Sequence, residues 1–80
     1  MMFDYASFAE RLRRLRLDRR MTQEKMARTF GIRTVHYAYM EMGKLLPGLP
    51  LLVRMAKFFG VTTDYLLGIE ALPAQAKPAV

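Results

Sequence analysis

Apolar side chains recur at helical spacing in the first quarter of the chain. The stripe consists of residues four and three positions apart: Phe8, Leu12 and Leu15. This period indicates an amphipathic helix over about residues 4–20. Ser7 and Glu10 have the spacing of a capping box, which places the start of the regular helix at Ser7. Asp4 is the alternative N-cap residue.

Two shorter helical segments follow, and a glycine separates them. Thr22 is a good N-cap residue and predicts a helix from there to about Phe30, where Gly31 ends it. The next helix is predicted from Arg33 or Thr34 to about Met42. The side chains expected to face inward from these two helices are Met26, Ala27, Phe30, Tyr37 and Met40. Helices joined by so short a turn cross at a steep angle, so the second helix is presented as a ridge.

Two further helices complete the pattern. Pro50 suits a first helical turn, and the apolar period around it predicts a helix from about Leu49 to Phe59. Thr62 caps a last short helix over residues 64–67. No stretch alternates between apolar and polar residues, so the predicted fold class is all-α with five helices. We predict one domain over residues 1–69 and a tail rich in Ala and Pro over residues 70–80.

The net charge gives a first indication of the partner. Thirteen Lys and Arg residues against seven Asp and Glu residues give a charge of +6. A small basic domain favours a polyanionic partner, either nucleic acid or, less often, an anionic membrane surface. The alternative interpretation is that the charge serves solubility only, and that the arginines from Arg11 to Arg20 form a solvated helix face.

The composition also argues against several kinds of chemistry. The chain has no cysteine and a single histidine, His36, so we expect no disulfide, thiol catalysis or metal site. It has no paired carboxylates at a working spacing and no glycine-rich phosphate loop, so we expect neither an enzyme nor a bound cofactor. No apolar run approaches the ~20 residues that span a bilayer, and the N-terminus lacks a signal-peptide pattern. We therefore expect a cytoplasmic protein without a membrane partner.

Short motifs stand in a definite order along the predicted helices. They are Met21-Thr22-Gln23-Glu24-Lys25-Met26-Ala27, Phe30-Gly31-Ile32, Glu41 with Gly43-Lys44, Pro47, and Asp64-Tyr65-Leu66-Leu67-Gly68. Together they resemble the phage-repressor (Cro/cI, or XRE) family of helix-turn-helix domains, over about residues 7–69. The resemblance implies a five-helix, lambda-repressor-like domain that binds double-stranded DNA and regulates transcription.

The resemblance also implies which residues contact DNA. They are Gln23, Arg33, Thr34, Val35, His36, Tyr39 and Lys44. Thr34, Val35 and Tyr39 hold the base-reading positions of the recognition helix, and the others hold positions that contact the DNA backbone or, for Gln23, a phosphate or base edge. Arg16 and Glu41 match a basic–acidic pair that links the first helix to the end of the third.

The chain departs from the family pattern at two positions. Arg33 stands where a small polar cap residue is usual, and Tyr37 stands where a branched aliphatic residue is usual. We expect Tyr37 in the core with its hydroxyl at an edge, and Tyr39 exposed. The predicted recognition helix has none of the Gln, Asn or Arg side chains that read bases with paired hydrogen bonds, apart from Arg33 at its start.

Two functions from different classes fit these observations. The first is a homodimeric transcription regulator, a repressor that binds a palindromic operator. The second is a protein-interaction module, or an antitoxin, that keeps the fold and uses the surface of Leu45, Leu46 and Leu49. These three leucines either fold under their loop or form a partner surface.

Overall fold

The computed structural model describes residues 3–69, and every regular element in that range is a helix. In chain order the helices are α1 (Tyr5–Asp18), α2 (Gln23–Phe30), α3 (Thr34–Glu41), α4 (Leu49–Phe59) and α5 (Thr63–Leu67). The prediction of an all-α fold with five helices is confirmed. The predicted tail, residues 70–80, lies outside the described residues.

Helix α1 begins earlier than the capping-box spacing predicts. Its N-cap is Asp4, whose carboxylate accepts a hydrogen bond from the backbone N–H of Ala6 at 3.0 Å. Ser7 lies inside the first helical turns, and its hydroxyl accepts a hydrogen bond from Arg11 Nε at 3.4 Å. The predicted start at Ser7 was therefore wrong, and the alternative cap is the one that forms.

The end of α1 carries a strained backbone. Arg20 follows the helix with a φ of 56°, a left-handed conformation that costs a residue with a side chain about 1–2 kcal/mol. Arg20 lies in the short connection between α1 and α2, which starts at Gln23.

A glycine turn joins α2 to α3. Thr22 caps α2 by accepting a hydrogen bond from the N–H of Lys25 at 3.0 Å, as its position predicts. Gly31 ends α2 at φ 71° and ψ 30°, a conformation that glycine adopts without a Cβ clash. The next N–H, that of Ile32, returns to the carbonyl of Ala27 at 3.0 Å, and the Ile32 side chain packs against the core.

One core joins all five helices. Its fully buried members of at least leucine size are Phe8, Leu12, Met26, Tyr37, Met40, Met55 and Leu66. Helix α3 packs against both α1 and α2, while α5 closes the core by packing against α1 and α4. The consequence for function is that α3 is held from two sides and leaves one long face exposed.

None of the helices within residues 3–69 is long and apolar enough to cross a membrane.

Candidate nucleic-acid interface

Helix α3 has a buried face and an exposed face. Tyr37 and Met40 are fully buried on the inner side. The outer side presents Val35 and Tyr39, whose exposed fractions are 47% and 42%, together with the exposed Thr34. These are the three residues for which the sequence predicts base reading, and the structure brings them together on one surface.

The start of α3 offers unpaired backbone donors. The first hydrogen bond within the helix runs from the N–H of Tyr37 to the carbonyl of Arg33 at 3.0 Å, so the N–H groups of the three preceding residues have no acceptor within the helix. Arg33 is the N-cap but makes no side-chain capping bond, and its side chain is exposed. An anion at this end would meet both the positive end of the helix dipole and a guanidinium group.

A buried ion pair fixes the other end of α3. Arg16 Nε lies 2.6 Å from Glu41 Oε2, and Arg16 Nη2 lies 3.0 Å from Glu41 Oε1. The Arg16 Nη1 group donates to the carbonyl of Met21 at 2.9 Å. The side chains of Arg16 and Glu41 are only 10% and 2% exposed, so this two-pronged pair ties α1 to the last residue of α3 away from solvent.

Gln23 completes this cluster. Its Nε2 atom donates to Glu41 Oε1 at 3.0 Å, so α2 is joined to the same carboxylate as α1. Burial acts against ionisation of Glu41, but the guanidinium of Arg16, the adjacent Tyr37 hydroxyl and the Gln23 amide together outweigh it and hold the pKa of that carboxyl below its ordinary value. The sequence predicts Gln23 as a DNA contact, whereas the structure engages its amide with Glu41.

Tyr37 lies beside this cluster, and the prediction of a hydroxyl at an edge was wrong. The hydroxyl is buried and has no hydrogen-bond partner of standard geometry among the described residues. Burial raises the pKa of Tyr37, and the neighbouring Glu41 carboxylate raises it further. The phenol therefore stays protonated. No spacing in the sequence shows that the residue one turn before Glu41 would meet a buried pair, because Arg16 comes from a different helix.

Tyr39 and Lys44 form a second local unit on the exposed side. The Lys44 backbone N–H donates to the carbonyl of Tyr39 at 2.9 Å, and Lys44 Nζ lies 5.9 Å from the centroid of the Tyr39 ring. That distance is at the outer limit of a cation–π contact. The two residues, predicted separately as base and backbone contacts, are neighbours.

The exposed face of α3 carries no negative charge. Glu41 is the only acidic residue of the helix, and its side chain is buried and paired. Arg33 and Lys44 flank the face and are exposed, while His36 is half-buried. The resulting surface is neutral at its centre and basic at its ends.

The loop before α4 adds an apolar surface. Leu46 packs against the core, whereas Leu45 and Leu49 are exposed, Leu49 to 75%. Of the two alternatives for these leucines, folding under the loop therefore applies to Leu46. Val53, one turn after Leu49 on α4, is also exposed at 43%, a neighbour that the sequence analysis did not single out.

Within residues 3–69, no group of His, Cys, Asp or Glu side chains could hold a metal ion.

Helices α2 and α3 are joined by a glycine turn. The inner face of α3 is packed in the core and its outer face is exposed, and this arrangement defines a helix-turn-helix domain. The chain belongs to the helix-turn-helix family, whose model matches residues 12–66. This places it in the family that the sequence motifs resemble.

Curated relatives carry names that agree with this family. The chain is 38% identical over 60 residues to the SPbeta prophage-derived uncharacterized HTH-type transcriptional regulator YonR of Bacillus subtilis, a match that covers 75% of this chain and 56% of the relative. It is 36% identical over 66 residues to the uncharacterized HTH-type transcriptional regulator YobD of the same species, with 82% and 59% covered. The HTH-type transcriptional activator BcrR of Enterococcus faecalis is 37% identical over 65 residues, with 81% and 32% covered.

The chain thus spans a little over half the length of the first two relatives and a third of the third. No solved structure shows a match to the chain.

Proposed function

We propose that this chain is a sequence-specific DNA-binding regulator of transcription that acts in the cytoplasm as a homodimeric repressor at a palindromic operator. The observation that carries the proposal is the exposed face of α3, which is free of negative charge and flanked by Arg33 and Lys44. The family and the names of the relatives support it.

The proposed docking follows from the size of the groove. A major groove about 12 Å wide admits one α-helix, and α3 is the helix that stands free on one side. Val35 would contact a thymine methyl group, and Thr34 and Tyr39 would each form a single hydrogen bond to a base edge. Arg33, His36 and Lys44 would contact phosphates and set the register, with Gln23 as a further contact from α2.

A homodimer would place two copies of α3 in successive major grooves, about 34 Å apart. Exposed apolar side chains that a second copy would cover are Leu45, Leu49 and Val53. Sedimentation of wild-type chain and of Leu49→Lys tests this: we expect the wild type to dimerise with rising concentration, and the variant to remain monomeric. A wild-type chain that stays monomeric both alone and on DNA would refute the dimer.

The function itself is tested by selecting bound sequences from a random double-stranded DNA pool at about 0.15 M salt, where nonspecific attraction is partly screened. We expect enrichment of a palindrome. Binding without enrichment would contradict sequence specificity, and no binding by the folded chain would contradict DNA binding altogether. A reporter gene placed behind the enriched sequence then distinguishes repression from activation.

Two substitutions separate the roles within the interface. Arg33→Ala removes a proposed phosphate contact, so it should weaken binding to all sequences and lower the slope of log K against log salt by about 1. Tyr39→Ala should also change the preferred sequence. Equal losses on every probe would remove Tyr39 from base reading and leave it as a support for Lys44.

The exposure of Leu49 favours a second candidate, a protein-interaction module or antitoxin. In that case Leu49→Lys would abolish capture of a distinct protein partner while leaving the affinity for DNA unchanged. Under the homodimer proposal the same variant should instead weaken operator binding, because each copy would bind its half-site alone.

A further inference from the structure

A charged side chain on α4 holds the end of α2. Arg54 Nη2 donates to the backbone carbonyl of Phe30, the last residue of α2, at 2.8 Å, and this hydrogen bond is partly buried. The carbonyls of the last helical turn lack donors within the helix and carry the negative end of its dipole, so a guanidinium group suits this position. Phe30 comes directly before Gly31, so Arg54 binds α4 to the turn between α2 and α3.

The aromatic ring of Phe30 also packs against α4. It lies edge-on to Phe58 and Phe59, with ring centroids 5.5 and 6.3 Å apart. Burial of apolar surface is largely non-directional, so it brings two helices together but leaves some freedom in their orientation. A hydrogen bond requires a narrow range of distance and angle. The bond from Arg54 to the Phe30 carbonyl therefore fixes how α2 is oriented on α4.

Helix α4 also carries most of the apolar surface proposed to meet a second copy. Leu49 and Val53 lie one turn apart on α4 and are exposed to 75% and 43%, and Val53 immediately precedes Arg54. Helix α4 packs against α2 and α5, whereas α3 packs against α1 and α2. Apart from the loop over residues 42–48, the main connection from this surface to α3 therefore passes through α2.

We propose that Arg54 is a positioning residue that fixes the separation of the two α3 helices in the dimer, and hence the spacing of half-sites that the dimer prefers. Both half-sites are bound together only when this separation matches that of successive major grooves, about 34 Å. The bond from Arg54 constrains it, because α2 leads through the glycine turn to Arg33 at the start of α3. Arg54 acts without touching DNA in this scheme. The inference rests on the proposed function, including the homodimer.

The first test compares DNA duplexes that differ only in half-site spacing. The palindrome selected for the wild type is prepared with its half-sites moved one or two base pairs closer or further apart, and a single half-site is included. The wild type should prefer the selected spacing. Arg54→Met should lose affinity for that spacing by about tenfold, the equivalent of one hydrogen bond to a charged group. It should bind the altered spacings and the single half-site as well as the wild type does.

Two further variants serve as controls. Arg54→Lys should restore most of the spacing preference, because a lysine ammonium also donates to a carbonyl at a helix end. Lys57→Met removes the same charge from an exposed position of α4, and within residues 3–69 the Lys57 ammonium has no hydrogen-bond or ion-pair partner. We expect Lys57→Met to keep the wild-type spacing preference. If Arg54→Met loses affinity equally on every duplex, or keeps the wild-type spacing preference, the proposal is overturned.

Amide hydrogen exchange tests the same contact without DNA. The N–H of Ile32 donates to the carbonyl of Ala27 beside the turn, and that of Met26 donates to the carbonyl of Thr22 at the other end of α2, both at 3.0 Å. Arg54→Met should accelerate exchange several-fold at Ile32 and leave Met26 unchanged. Equal acceleration at both amides, or none at Ile32, would overturn the proposal.

Failure of the proposed function gives a different result. A wild-type chain that does not bind paired half-sites would refute the homodimeric regulator, and the exchange measurement would still decide whether Arg54 holds the turn between α2 and α3.

Discussion

Substitution of Arg16 by Met should remove much of the stability of the domain. The change abolishes both bonds to Glu41 and the bond to the Met21 carbonyl, and it leaves a carboxylate that is 2% exposed with Gln23 as its remaining side-chain partner of standard geometry. Loss of one partner from a buried pair costs about 3–5 kcal/mol. The total stability expected for 80 residues is only ~4–12 kcal/mol, so the loss is comparable with the whole.

The measurement is urea unfolding followed by circular dichroism, with Arg14→Met as the matched control. Arg14 also lies on α1 and also pairs with a glutamate, Glu10, but at 3.7 Å and with both side chains more than two-thirds exposed. Arginine and methionine have nearly equal helix propensities, so the two variants differ mainly in the burial of the pair. We expect the free energy of unfolding to change by no more than ~1 kcal/mol for Arg14→Met and to fall by ~3–5 kcal/mol for Arg16→Met.

The pH dependence gives the result a second signature. In the wild type the pKa of Glu41 is lowered relative to the unfolded chain, so its contribution is present above the unfolded pKa and is lost as the pH falls through the folded pKa. Without Arg16, burial dominates and should raise the pKa of Glu41 above the unfolded value. Protonation then relieves the penalty, so the difference between variant and wild type should shrink from pH 7 towards pH 4.

Removal of both partners separates the free-energy cost of leaving Glu41 buried and unpaired from the net contribution of the ion pair to stability. Arg16→Met combined with Glu41→Leu should recover at least ~1–2 kcal/mol relative to Arg16→Met alone. The reasoning is refuted if Arg16→Met costs no more than Arg14→Met, or if its cost grows as the pH is lowered.

Three further predictions concern the backbone. Gly68→Ala should lower the free energy of unfolding by ~1–3 kcal/mol more than Gly60→Ala in chemical unfolding. Both glycines have positive φ, but only at Gly68 would an added Cβ lie 2.5 Å from Ser7 Oγ. Equal losses would mean that the Ser7 side chain moves away from the added Cβ. Arg20→Gly should raise stability by about 1 kcal/mol by relieving the left-handed backbone, and a loss would remove strain as the explanation. Arg33→Ser should stabilise α3 by ~0.5–2 kcal/mol, because serine supplies the side-chain capping bond that Arg33 lacks. The same variant should bind DNA more weakly. A variant that gains stability without losing affinity for DNA would exclude Arg33 from the interface.

Much of the fold could be predicted because its signals are local. The bounds of α2 and α4 follow from Thr22, Gly31 and Gly60, which act through hydrogen bonds and φ angles within a few residues. The predicted start of α1 at Ser7 was wrong for a reason that is also local. Asp4 and Ser7 are both good caps, and nothing in the neighbouring sequence decides which of them accepts the backbone hydrogen bond.

The candidate site was predictable only in part because its details are tertiary. The exposed face of α3 could be read from the spacing of its apolar residues. The engagement of Gln23 with Glu41 joins residues 18 positions apart, and the burial of the Tyr37 hydroxyl depends on how α1 crosses α3. Such contacts leave no periodic pattern in the sequence. The match of Gln23 to the family motif therefore predicted a DNA contact but could not predict the hydrogen bond from Gln23 to Glu41.

The two faces of α3 differ in how freely they can evolve. Replacement of an exposed residue such as Thr34, Val35 or Tyr39 usually changes stability by no more than about 0.5 kcal/mol, whereas Met40 and Glu41 are fixed by the interior. A gene duplicate could therefore acquire a new target through a few surface substitutions, without any repair of the core. Paralogous regulators in one cell could diverge in this way until each ignores the binding sites of the others.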